Sequence, residues 1–169
     1  TDFRTMTGNK MKQLPIPENL AVSCKILSDS NYIYFLIQAK EPLMDKLGSG
    51  NNIWERSSVE FFIHPQTASN EYYHLAFTLN GEKYEARCPG NTKYEIGSEY
   101  KFGKSKEGYT LEVKVPAEML GDIRNGANWK CNIGINRYVF TDHLIENHYS
   151  LGGNLYHDVV KFYPLQIGT

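Results

Sequence analysis

What this sequence lacks narrows it first. No apolar run approaches the roughly 18 to 20 residues that a membrane-spanning helix requires. The longest apolar-rich stretch, Tyr32 to Ala39, has the length of one strand. No charged-then-apolar leader opens the chain at Thr1, so any signal peptide is expected to have been removed or to lie outside this sequence. The three cysteines, Cys24, Cys88 and Cys131, are odd in number and show no CxxC spacing. That argues against a disulfide framework and a structural zinc site, and for buried free thiols. An excess of one charge is missing too: 18 Lys and Arg stand against 19 Asp and Glu. With no basic stripe, nothing recruits a nucleic-acid backbone or an anionic membrane surface. The common catalytic templates are absent, with no GxSxG elbow, phosphate-cradling glycine loop or HExxH. His64, His74, His143, His148 and His157 match no metal-ligand spacing and read singly as surface or hydrogen-bonded residues.

What is present is aromatic and strand-forming. The 169 residues fit one domain, and 12 Tyr, 8 Phe and 2 Trp supply material for a packed core. Residues 1–19 are polar, with Pro15 and Pro17 fixing an extended path, and read as an arm or edge segment; residues 20–169 read as the domain. Leu20 to Leu27, a turn at Asp29 to Asn31 and the apolar Tyr32 to Ala39 form a hairpin pattern. Lys40 to Asn52, with Pro42, Gly48 and Gly50, reads as a long loop. Further strand patterns run from Ser57 to His64, Tyr72 to Leu79, Lys83 to Cys88, Tyr109 to Val115, Trp129 to Val139 and Val159 to Ile167. Asn80-Gly81 is a hairpin turn signal, and Pro116 to Leu120 has room for one helical turn. His143 and His148 fall in what reads as a loop. Some nine short strands with Gly, Pro and Asn punctuation imply an all-β fold, an antiparallel β-sandwich of the immunoglobulin or jelly-roll kind.

Paired carboxylates are the one catalytic pattern to weigh, because glycosidases flank the scissile bond with two of them. Among the 19 acidic residues, Glu60 and Asp158 come first, since both neighbour aromatic residues. The same combination serves sugar binding without chemistry. A pyranose offers an apolar C–H face to an aromatic ring and a rim of hydroxyls to carboxylates and amides. Read alone, Trp54 is compatible with core or loop packing, and Glu60, between Val59 and Phe61, with an outward surface position.

Four stretches bear a family resemblance, and they follow the family's order over residues 20–167. Asn52-Ile-Trp-Glu-Arg-Ser-Ser-Val-Glu-Phe-Phe-Ile-His64 resembles the N-x-W-x-x-D-S-V-E-x-F-I-D signature of family 9 carbohydrate-binding modules. Asn31 to Pro42 looks like the strand preceding that signature, and Gly108 to Pro116 is similar to the family's G-W/Y-x-x-E-x-x-I/V-P strand. Tyr156-His-Asp-Val-Val-Lys-Phe-Tyr163 resembles its closing W-x-D-P-x-x-F-G. The resemblance implies a non-catalytic sandwich domain that holds the end of a sugar chain between two aromatic rings. Trp54 falls on one ring, Tyr156 on the other, where the best-known members have tryptophan, and Glu60 on a carboxylate that bonds sugar hydroxyls. His74 lies on the strand that supplies polar contacts to the sugar, and Asp158 sits in the closing motif. Ser57, Val159 and Tyr163 depart from the pattern.

The implied ligand is an oligosaccharide or polysaccharide, and the implied setting a secreted, periplasmic or cell-surface part of a bacterial polysaccharide-degrading system. No cofactor is expected. Structural calcium, frequent in the family, is left open because no D-x-D-x-D-G loop is present. The alternatives are a glycoside hydrolase, a haem-ligating sandwich using Met119 or a histidine, and a structural or partner-binding sandwich.

Overall fold

The computed structural model of the chain describes residues 3–5, 14–48, 52–65, 70–121, 128–152 and 155–166. In chain order the strands are β1 (Arg4–Thr5), β2 (Leu14–Pro15), β3 (Val22–Ser28), β4 (Tyr32–Lys40), β5 (Ser58–His64) and β6 (Tyr72–Thr78). They continue as β7 (Lys83–Cys88), β8 (Thr92–Lys93), β9 (Glu99–Lys104), β10 (Gly108–Pro116), β11 (Asn128–Phe140), β12 (Leu144–Ser150) and β13 (Tyr163–Gln166). Helix among the described residues is confined to five three-residue 3-10 turns.

Local turn chemistry sets the pairings. Asp29 accepts hydrogen bonds from the Asn31 and Tyr32 amides, each at 2.8 Å, and this closes the β3–β4 hairpin. At Asn80-Gly81 the glycine takes φ +92° and its N–H donates to the Thr78 carbonyl, closing β6 onto β7. A side chain would be strained at that φ, which is why glycine stands there. All strand pairs are antiparallel. The larger sheet runs β2-β1-β12-β11-β5-β6-β7-β8, with β13 pairing the first residues of β11; the smaller runs β3-β4-β10-β9.

The alternation within each strand then builds the core. Ile33, Phe35 and Ile37 of β4 and Leu111, Val113 and Val115 of β10 meet Val59, Phe61 and Ile63 of β5 and Leu75 and Phe77 of β6, all buried. Phe35 and Phe61 join the two sheets with ring centroids 4.8 Å apart. Each such side chain contributes roughly 1.5 to 3 kcal/mol by leaving water. The two-sheet antiparallel sandwich expected from the sequence is the observed architecture.

In the segment read as an arm or edge, Arg4–Thr5 pairs with β12 and with β2 at the edge of the larger sheet, and Phe3 enters the core. Some boundaries differ from the sequence reading. Lys40 to Asn52 is not wholly loop: Leu47 bridges to Val139, and buried Glu41 receives Arg137 Nε at 2.5 Å and Nη2 at 3.0 Å. Strands β9 and β12 were not read from the sequence, and His148 lies on β12 rather than in a loop. The pattern from Val159 to Ile167 is not one strand. Val159–Lys161 forms a 3-10 turn first, which sends Phe162 into a second apolar cluster with Phe62, Tyr72 and Cys88 on the far side of the larger sheet. Ile167 lies outside the described residues.

Candidate functional site

That second cluster shows that the larger sheet is covered on both faces. On β5, Val59, Phe61 and Ile63 face the core while Ser58, Glu60 and Phe62 face outward, yet all six are buried. Glu60 is therefore outward but only 3% exposed, not the surface residue that its position suggests. Its cross-strand neighbours are Ala76 on β6 and Gly134 on β11, both small, which leaves room for the carboxylate. His74 Nε2 reaches Glu60 Oε2 at 2.5 Å, and Asn136 Nδ2 donates to Glu60 Oε1 at 2.5 Å. A buried carboxylate needs such partners, because leaving it unpaired costs several kcal/mol.

The network continues across β11 to β12. Asn136 Nδ2 also reaches Ser58 Oγ at 3.0 Å, which fixes the amide with its oxygen toward His148 Nδ1, 2.7 Å away. The other imidazole nitrogen, Nε2, lies 2.6 Å from Glu146 Oε1, which also accepts the Tyr138 hydroxyl at 3.0 Å. The His148 contact holds the Glu146 carboxyl below the usual carboxylate range. Ser57, where the family pattern has aspartate, is buried and bonds the Tyr138 carbonyl and amide at 2.9 and 3.1 Å, stitching the approach to β5 onto β11.

Tyr156 lies over Gly134. A Cβ there would come within 2.7 Å of the Tyr156 ring, so the missing side chain admits the aromatic. The Tyr156 hydroxyl sits 3.1 to 3.2 Å from the Ile135 carbonyl, Asn136 Oδ1 and the Tyr149 carbonyl. Burial, then the Glu60 charge, pushes this phenol far above its ordinary range. The ring is thus a floor with its hydroxyl committed inward.

Trp54 belongs to the 3-10 turn Ile53–Glu55, whose Glu55 carboxylate accepts the Asn52 amide at 3.2 Å. Next to this turn, Arg56 pairs with Glu82. The indole is 47% exposed and meets Tyr84 edge-on at 5.9 Å between centroids.

These elements enclose a hollow of about 480 Å³ on the outer face of the larger sheet. Of the residues proposed from the sequence, Trp54, Glu60, His74 and Tyr156 line it together; Asp158 does not, its carbonyl instead receiving the Lys161 amide in the last 3-10 turn. Tyr84, Asn136, Tyr138, His148 and His157 line it as well and were not identified from the sequence. One signal was available: along β11 the outward positions Asn132, Gly134 and Asn136 are short and uncharged, unlike a solvated face. Among the described residues no group of three or more His, Cys, Asp or Glu side chains is placed to hold a metal ion, and no calcium site is assigned. No helix among them is long and apolar enough to cross a membrane.

A sandwich that sets an exposed indole beside buried carboxylate, amide and imidazole groups in one hollow has the make-up of a carbohydrate-binding domain. The family model described as "Carbohydrate family 9 binding domain-like" matches residues 3–150, and the chain belongs to that family: a module that binds carbohydrate and does not itself catalyse. The fold agrees. A family 9 module from Caldicellulosiruptor kristjanssonii solved with cellotriose superposes with a TM-score of 0.71 at 15% identity, covering 90% of this chain and 77% of that one. The same kind of module with glucose gives 0.72 at 14%, covering 90% and 79%. A putative carbohydrate-binding protein from Bacteroides uniformis gives 0.64 at 17%, covering 99% and 86%. In sequence, endo-1,4-beta-xylanase C of Paenibacillus barcinonensis is 32% identical over 99 residues, 56% of this chain. Endo-1,4-beta-xylanase A of Thermotoga maritima is 34% identical over 58 residues, 34% of this chain. The chain spans only 9% and 5% of those two proteins' lengths.

Proposed function

We propose that the hollow on the larger sheet receives the end of a neutral glycan chain, with the terminal pyranose against Trp54. The observation that carries this reading is the pairing of an exposed indole with a buried, hydrogen-bonded carboxylate in one cavity. The sugar's C–H face loses water against the indole, and its hydroxyls meet the remaining acceptor positions of Glu60. Tyr156 shapes the floor, and Tyr84, edge-on against Trp54, extends the same aromatic wall. Glu60 is tied to His74 and Asn136, and Asp158, the carboxylate weighed with it from the sequence, is not among the residues lining the hollow.

The domain acts, in this proposal, as an accessory module of an extracellular enzyme that degrades β-1,4-linked polysaccharide. The support is the small share of two xylanases that it matches. Glucose and cellotriose, carried by the similar modules, are the first ligands to test, with xylotriose beside them. Calorimetric titration should give a Kd between about 1 μM and 1 mM, with no cleavage product on prolonged incubation. Cleavage that disappears in Glu60→Gln would move the protein into the hydrolases.

A further inference from the structure

His157 follows Tyr156 and lines the same hollow, and its imidazole makes one side-chain hydrogen bond. Its Nδ1 lies 2.7 Å from the Tyr72 hydroxyl. Burial pushes the Tyr72 phenol well above its ordinary range, so it keeps its proton wherever a histidine titrates. That proton has a better acceptor in the imidazole nitrogen than in the neighbouring Cys88 sulfur, a weak acceptor whose own thiol donates to Asn91 Oδ1 at 3.0 Å. Nδ1 is then the acceptor and Nε2 bears the hydrogen. Burial and the adjacent His74 hold the imidazole below its ordinary value of 6.5, which keeps the ring neutral at pH 7. The ring stands edge-on to Phe62 at 4.8 Å and to His74 at 5.2 Å between centroids. The residue nevertheless remains solvent-exposed, and its Nε2 has no partner among the described residues.

Two other polar groups of the hollow play different parts. Glu60 offers acceptors only, and the Tyr156 hydroxyl points at internal carbonyls. Sugar hydroxyls can donate to Glu60, but a ring or glycosidic oxygen carries no proton and needs a donor from the protein. We propose that His157 is a specificity-determining residue of this hollow. Its Nε2–H donates to an oxygen lone pair of the bound sugar, and Tyr72 is the positioning residue that fixes the donor tautomer. The inference rests on the hollow being the sugar site and names one of its recognition elements.

Two arms test it. In the sugar-free protein, long-range proton–nitrogen NMR of the labelled imidazoles should show His157 with a protonated Nε2 and a bare Nδ1 at pH 7. In Tyr72→Phe, which keeps the ring but removes the lock, the two tautomers should mix. A dominant Nδ1–H form, or an imidazolium at pH 7, overturns the proposal without reference to any sugar. In the second arm, glucose, cellotriose and xylotriose are titrated into the unaltered protein, His157→Ala, His157→Gln, Tyr72→Phe and Trp54→Ala. His157→Ala should weaken binding about three- to tenfold, the scale of one neutral hydrogen bond. His157→Gln, which restores an N–H donor, should recover part of that loss, and saturating sugar should move the His157 Nε2 resonance more than Nδ1. Affinity unchanged in His157→Ala while Trp54→Ala loses binding would overturn the role of His157 and leave the site standing. No binding of the three sugars to the unaltered protein would overturn the site and the inference with it.

Discussion

The outer faces of the two sheets start from the same strand alternation and end in opposite states. On the smaller sheet the outward rows are Leu27, Tyr34, Lys114 and Glu99, then Lys25, Leu36, Glu112 and Lys101. These side chains are long or charged; Leu27 is 71% exposed, and the Lys114–Glu99 pair at 3.2 Å stands largely in solvent. On the larger sheet the outward residues Ser58, Glu60, Phe62, His74, Asn132 and Asn136 are all buried. The difference lies in what covers the sheet: Tyr156 and Phe162 of the closing segment pack down on the larger one. Under that cover a polar group keeps its place only with a partner, so the residues are short, mostly uncharged and joined in one network, whereas the smaller sheet tolerates charges that need no partner.

The largest effect expected from this contrast is on stability. Glu60→Ala strands His74 and Asn136 without their shared acceptor and should lower the unfolding free energy by about 2 to 5 kcal/mol. Glu112→Ala, at the matching outward position of the smaller sheet, should change it by no more than about 0.5 kcal/mol. Urea unfolding of both variants measures the pair, and equal losses would break the comparison. Next comes Gly134→Ala. The added methyl meets the Tyr156 ring and should cost about 1 to 3 kcal/mol. Because the floor of the hollow shifts, sugar affinity should fall as well. Gly103→Ala on the smaller sheet, whose added methyl meets only the Thr110 side chain, should leave affinity unchanged.

Trp54→Ala separates binding from stability. Removing the exposed indole should weaken sugar binding about tenfold to a hundredfold, or roughly 1.4 to 2.7 kcal/mol, while the melting temperature moves little. A collapsed melting temperature with intact affinity would make Trp54 a packing residue. The smallest effect is a pH effect. The Glu146 carboxyl lies lower in the folded protein than in the unfolded chain because of His148, so its contribution is present above the ordinary carboxylate range. It is lost as pH falls through the lowered folded value. Half-exposed as the pair is, the loss should be no more than about 1 kcal/mol. Comparing acid unfolding of the protein with Glu146→Gln measures it.

The sequence announced the apolar strands and the turns with strong chemistry, and it announced less of the site. Tyr32–Lys40 and Gly108–Pro116 are legible because their inward residues are branched or aromatic, and the β3–β4 and β6–β7 turns because Asp29 and Gly81 have one obvious use. Strand β12, Leu-Ile-Glu-Asn-His-Tyr-Ser, hides because its outward Glu146, His148 and Ser150 are polar members of the hydrogen-bonded network and its inward Asn147 bonds Arg137. The family signature pointed to Trp54 and Glu60, which lie within one short stretch. His148, Asn136 and Tyr84 come from strands far apart in the chain, and only sheet register brings them to Glu60. Tyr156 was legible as a ring at the site but not as a floor, since that depends on the absent side chain of Gly134 on another strand.

The claim that the covered face of the larger sheet is the sugar site has one direct measurement. Amide and side-chain chemical shifts of the nitrogen-labelled protein can be followed during titration with cellotriose. The account predicts shifts that saturate together at the Trp54 indole, Glu60, His74, Gly134, Asn136 and Tyr156, with the outward residues of β3, β4, β9 and β10 unmoved. Saturable shifts confined to the smaller sheet, with the Trp54 indole unmoved, would contradict it.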